Sequence, residues 1–149
     1  MRRALALAEV QLGNTAPNPT VGCVLVKNGK VIAETATAPG GRPHAETQAL
    51  DAAGTNAKGA TAYVTLEPCA HIAETPPCVD ALIAAQVDRV LIACEDPDPR
   101  TAGKAVKKLR ETGIKVSLGV CEKEARELNA GFFLKVRGSR PLFTLKLAM

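Results

Sequence analysis

The chain has 149 residues, of which 46% are hydrophobic and 23% charged. That length suits one compact domain, and the balance excludes a disordered tail or low-complexity linker. No run of eighteen apolar residues occurs, so no transmembrane helix is expected, and Glu9 and Gln11 interrupt the first apolar stretch too early for a secretory signal. A cytoplasmic protein is expected. Nineteen Lys and Arg against fifteen Asp and Glu give a net charge of +4, and four of the cations (Lys104, Lys107, Lys108 and Arg110) lie together, as on a solvated helix face. With no Trp, one Tyr and three Phe there is little to stack bases on, so no nucleic-acid partner is expected. Five cysteines, an odd number in a chain read as intracellular, favour metal ligation or burial over disulfides.

Along the chain, residues 2–12 carry Leu5, Ala8 and Leu12 at helical spacing before Gly13. Residues 20–26 read as a buried strand, Asn28-Gly29 as a hairpin turn, and residues 30–35 as the returning antiparallel strand. After the loop Pro39-Gly40-Gly41, residues 44–53 read as a helix closed by Gly54. Residues 61–66 form the next strand, residues 77–85 a helix with proline at its start, and residues 89–93 a third apolar strand. Asp96-Pro97-Asp98-Pro99 must be a loop. A helix over 101–112, a strand over 114–118, a helix over 122–129 and a final strand over 142–147 complete the series. An opening hairpin followed by alternating strands and helices predicts an α/β fold with helices on a mixed central sheet. The apolar stretch 130–134 suits either core or interface.

Three segments share one pattern: Pro43-His44-Ala45-Glu46, Pro68-Cys69 and Pro76-Pro77-Cys78. One imidazole and two thiols are zinc-ligand types, and three protein ligands leave a fourth tetrahedral position for water. Each ligand follows a proline at or near a helix start, where the dipole favours thiolate, so Cys69 and Cys78 are expected to ionise readily. Glu46, two residues past His44 on a first helical turn, is placed beside the metal, where it moves protons. His-x-Glu with a later Pro-Cys and a second Cys is the pattern of zinc nucleobase deaminases. Alone, each element is weak. Cys23, Cys94 and Cys121 are read as small buried hydrophobes, and His71, a competing ligand, ranks below Cys78 and belongs at the pocket rim.

The spacing Cys69-x₈-Cys78 is longer than Cys-x-x-Cys. With Ala16-Pro17-Asn18-Pro19-Thr20-Val21-Gly22-Cys23, Gly41-Arg42-Pro43-His44-Ala45-Glu46, Tyr63-Val64-Thr65-Leu66-Glu67-Pro68-Cys69, Asp96-Pro97-Asp98-Pro99 and Leu128-Asn129-Ala130-Gly131-Phe132-Phe133, it resembles the deaminase domain of bifunctional riboflavin-biosynthesis proteins, over nearly the whole chain. The resemblance implies a three-layer αβα cytidine-deaminase-like fold and Zn2+ on His44, Cys69 and Cys78. It implies Glu46 as the catalytic proton shuttle, and Asn18, with His71 and Thr75, as substrate-binding residues. The implied reaction deaminates a diamino-hydroxy-phosphoribosylamino-pyrimidine, in a homodimer or larger assembly. Residues 1–149 would be one deaminase domain, with Leu145-Lys146-Leu147-Ala148 opening a reductase domain that is absent. The segment Ala70-His71-Ile72-Ala73-Glu74-Thr75 departs from the family pattern and puts Glu74 where a cation is usual. Alternatives are therefore a deaminase of another amino-pyrimidine or amino-purine, or a catalytically silent zinc-stabilised binding module.

Overall fold

A computed structural model of the chain describes residues 1–72, 76–145 and 147. The described residues form five strands, β1 (Gly22–Lys27), β2 (Lys30–Ala36), β3 (Thr61–Val64), β4 (Arg89–Ile92) and β5 (Lys115–Leu118). Six α-helices accompany them: α1 (Arg2–Val10), α2 (Ala45–Ala53), α3 (Cys78–Ala84), α4 (Lys104–Glu111), α5 (Glu122–Leu128) and α6 (Ala130–Gly138). The strands make one mixed sheet in the order β2-β1-β3-β4-β5. β1 runs antiparallel to β2 and β3, whereas β3, β4 and β5 are parallel. Asn28 and Gly29 both take positive φ in the β1–β2 turn, the conformation that an Asn-Gly hairpin requires.

Parallel neighbours need crossover connections of one hand, so α3 (between β3 and β4) and α4 (between β4 and β5) cover the same face, where α2 also packs against α3. α1 and α5 pack together, and Phe133 of α6 joins the core. The result is the expected three-layer αβα fold. Leu25, Val64, Val90 and Ile92 from the sheet meet Leu50, Val79, Leu82 and Leu109 from the helices. Alanines line the helix faces that approach closest, Ala4 and Ala8 on α1 and Ala45, Ala49 and Ala53 on α2. At Gly22 a Cβ would lie 1.9 Å from the Ala4 carbonyl oxygen, so α1 can sit on β1 only over glycine.

One expectation fails at the C-terminal end, and one element there was not expected. Residues 142–145 and 147 form no strand, and Leu142, Phe143, Leu145 and Leu147 are exposed, because no strand among the described residues lies beside them to pair with. Conversely, residues 130–138 are helix α6, which glycines at both ends disguise. Tertiary contact overrides that weak propensity: Phe133 is buried and the guanidinium groups of Arg126 and Arg137 lie 5.3 and 5.4 Å from its ring centre. α4 begins at Lys104, three residues later than read, because residues 101–103 are a turn. Its outer face carries the expected cations, with Lys107 paired to Glu111 and Lys108 to Asp80. No helix among the described residues is long and apolar enough to cross a membrane.

Candidate active site

A cleft opens beyond the C-terminal ends of β3 and β4. Its inner end is built by the starts of two helices and the loop after β3. His44 is the residue before α2, in extended conformation, and Glu46 lies in the first turn. That entry is fixed from three sides. Thr35 Oγ1 donates to the Ala45 carbonyl at 2.7 Å, and the Gln48 side-chain amide donates to the carbonyls of Ala36 and Pro43 at 2.7 and 2.9 Å. Cys78 is the first residue of α3, and its backbone N–H donates to Cys69 Sγ at 3.2 Å.

His44 Nδ1 lies 3.3 Å from Cys78 Sγ and 3.7 Å from Cys69 Sγ. The three ligand atoms all fall within 4.8 Å of one another, and they form the one such group of histidine, cysteine and acid side chains among the described residues. A tetrahedral zinc site with bonds of about 2.0–2.3 Å has ligand–ligand edges of roughly 3.3–3.8 Å, so both His–Cys edges fit without rearrangement. His71 is not part of the cluster. Its Nδ1 lies 3.1 Å from Thr101 Oγ1, on the cleft wall, as a rim residue should. Glu46 is also outside the ligand set, 3% exposed and facing the same cleft.

The two thiols differ in their surroundings. Cys69 sits in a loop; hydrogen bonds from the Cys78 thiol, from His44 and from the Cys78 amide draw it down to about 4 despite burial. Cys78, donating to that thiolate and itself desolvated, is pushed up. The imidazole of His44 is raised, mainly by its hydrogen bond to Cys69. Burial, with the Cys69 thiolate nearby, raises the Glu46 carboxyl to about 7. Cys23 and Cys94 are buried with thiols raised by desolvation, consistent with inert packing, while Cys121 is half-buried in the left-handed residue before α5.

Asn18 also reaches the cleft. Its side-chain amide donates to the Gly41 carbonyl at 2.9 Å, leaving the side-chain carbonyl to accept from a ligand. Gly41 has φ +87°, and a Cβ there would lie 2.5 Å from the Asn18 amide nitrogen, so the glycine makes the Asn18 cradle. Thr75 lies outside the described residues.

The outer wall holds residues to which the sequence assigned no role in the site: Glu67, Asp96, Asp98 and Arg100. Glu67 is 2% exposed, and its carboxylate accepts four backbone N–H groups, those of Asp96, Gly103, Ala105 and Val106, at 3.0–3.3 Å. Two of these are orphan donors in the first turn of α4, whose preceding residue is a glycine with no side chain to cap them. Glu67 thus caps α4 from a distance and clamps loop 96–103 against the segment carrying Cys69. The available signal was an acid next to Pro-Cys, but its partners lie about thirty to forty residues away.

The sequence profile of the cytidine and deoxycytidylate deaminase zinc-binding region matches residues 1–94. The chain belongs to that family. Zinc is the family's metal, and the His-Cys-Cys cluster of this chain has the donor set to hold it. The chain is 54% identical over 148 residues to the riboflavin biosynthesis protein RibD of Aquifex aeolicus, covering 99% of this chain and 42% of that one. It is 46% identical over 141 residues to the diaminohydroxyphosphoribosylamino-pyrimidine deaminase of Buchnera aphidicola from Schizaphis graminum, covering 95% of this chain and 96% of that one. Its fold superposes on Acinetobacter baumannii RibD (form 2) with a TM-score of 0.90 at 51% identity, over 94% of this chain and 40% of that one. The chain spans about two fifths of the length of the RibD proteins it matches.

Proposed function

We propose that this deaminase hydrolyses the amino group from the pyrimidine ring of a diamino-hydroxy-phosphoribosylamino-pyrimidine, giving the amino-uracil ribotide and ammonia in riboflavin biosynthesis. The observation that carries this reading is a buried carboxylate, Glu46, facing the same cleft as a three-ligand His-Cys-Cys cluster, in a chain that matches a deaminase of that name over almost the whole of both. His44, Cys69 and Cys78 are the residues that would hold zinc, which when bound supplies a Lewis acid that brings water close to ionisation at neutral pH.

The rest is the work of the protein's own side chains. Glu46, with a proton affinity raised to about 7, is suited to take a proton from the attacking water and pass it to the departing amino nitrogen. In the overall exchange the ring C–N bond breaks, a C–O bond forms, and water supplies the oxygen and the hydrogens that leave in ammonia. Asn18, its amide tied to Gly41, offers a carbonyl acceptor to the ring, and His71 and Thr75 complete the substrate contacts. Glu46→Gln should lower ammonia release by about 10²- to 10⁴-fold with zinc content unchanged. Release that survives the change would remove the role of Glu46. A wild-type protein inactive on the ribotide but active on another amino-pyrimidine would move the substrate assignment.

We also infer that residues 1–149 act as one deaminase domain in the cytoplasm, as a homodimer or larger, without a nucleic-acid partner. The exposed apolar side chains of Leu118, Leu142 and Phe143 and the scarcity of aromatic residues support this. Light scattering on the purified protein reads the assembly directly.

A further inference from the structure

The two arginines of the cleft serve different ends of it. Arg42 precedes Pro43 and His44 and acts electrostatically on His44, at the inner end. Arg100 acts on Asp98 and Asp96 at the outer end, and its side chain is 67% exposed. An exposed arginine commonly has few partners, but this one is bonded along one edge to Asp98. Asp98 Oδ1 accepts the Arg100 backbone N–H at 2.9 Å and Nε at 3.0 Å, while Oδ2 accepts Nε at 2.9 Å and Nη2 at 2.5 Å. Asp98 is in turn held by its own backbone. Its N–H donates to Asp96 Oδ1 at 2.9 Å, and its carbonyl accepts the N–H groups of Thr101 and Ala102 at 2.8 Å. Glu67 anchors the start of the same loop through the Asp96 N–H.

An exposed ion pair adds little to stability, so the consequence of this arrangement lies in orientation. Side-on pairing through Nε and Nη2 leaves both hydrogens of Nη1 and the second hydrogen of Nη2 directed away from Asp98. A guanidinium edge with fixed donors matches the oxygens of a phosphate monoester, and the fixed geometry reduces the ordering cost of binding. The adjacent carboxylates of Asp96 and Asp98 would repel an anion placed elsewhere on this wall, which narrows the position to the outward edge of Arg100.

We propose that Arg100, oriented by Asp98, is the specificity-determining residue for the anionic end of the substrate and donates hydrogen bonds to a phosphate monoester at the cleft mouth while the ring lies beside Glu46. The proposal deepens the function stated above and rests on it for the ring. The experiment is calorimetric binding of ribose 5-phosphate and of ribose to the zinc-loaded protein, as wild type, Arg100→Ala and Arg100→Lys, alongside ammonia release from the ribotide. Wild type should bind ribose 5-phosphate well above ribose. Arg100→Ala should weaken ribose 5-phosphate by about 10- to 100-fold, the size of a lost charge-assisted contact, and Arg100→Lys by less. KM for the ribotide should rise in parallel, with kcat within about threefold. Equal binding of ribose and ribose 5-phosphate by wild type, or an unchanged affinity in Arg100→Ala, overturns the proposal. Arg100-dependent binding of ribose 5-phosphate by a protein that releases no ammonia from the ribotide would support this subsite and contradict the reaction assigned above.

Discussion

The inner and outer ends of the cleft are built by different means. The inner end draws its chemistry from short motifs in which a proline sets the chain just before a ligand: Pro43-His44 at the start of α2, Pro68-Cys69 after β3, and Pro77-Cys78 at the start of α3. The outer end is a loop whose shape depends on distant partners, with Glu67 accepting backbone N–H groups from Asp96 to Val106 and Asp98 fixing Arg100. The first arrangement fixes what reaction can occur. The second fixes which molecule is presented to it. Damage to one should therefore abolish chemistry, and damage to the other should change recognition while leaving chemistry in place.

The largest effect tests the inner end. Cys78→Ala removes one of the three ligands of the cluster. Zinc content, measured by elemental analysis, should fall well below one per chain, and ammonia release should fall by roughly 10³-fold or more. Full zinc content in that variant would break the comparison at its strongest point.

Glu67→Gln comes next. An amide in that position keeps one carbonyl oxygen for four buried N–H groups and turns its own N–H₂ against some of them. The loss should be about 1–3 kcal/mol in chemical unfolding. Zinc content should hold, and KM for the ribotide should rise by about tenfold or more while kcat changes little. A drop in kcat with KM intact would place Glu67 in the chemistry and erase the distinction drawn here.

The smallest effect concerns Asp96. Burial pushes its carboxyl up to about 6, above the usual aspartate value near 3.9. The native state therefore holds that proton more tightly than the unfolded chain does, and the contribution present below about pH 4 is lost as pH rises through 6. Asp96→Asn removes the dependence and keeps the carbonyl that accepts the Asp98 N–H. Its stability should gain on the wild type between pH 4 and 7 and then run parallel. A difference independent of pH would show that Asp96 titrates normally.

The same contrast explains what was legible in the sequence. Period-2 and helical patterns located the five strands and five of the six helices of the described residues; Leu25, Val64, Val90 and Ile92 announce the buried strands. Helix α6 was not located, since its helix-breaking glycines outweigh a signal that becomes clear only when Phe133 meets Arg126 and Arg137. The apolar run ending the chain resembles a strand locally, but pairing needs a neighbour that the described residues do not supply. In the site, the metal-binding group and Glu46 were readable because chemistry demands those residue types close together. Glu67, Asp98 and Arg100 were not, because an acid that caps a helix about forty residues away carries no local mark.

X-ray absorption at the zinc edge of the active, purified protein tests the central claim most directly. One zinc per chain bound by two sulfurs, one imidazole and one light oxygen-type ligand is the predicted result, the signature of an open three-residue site. A closed shell of two sulfurs and two imidazoles, or active protein without zinc, would contradict it.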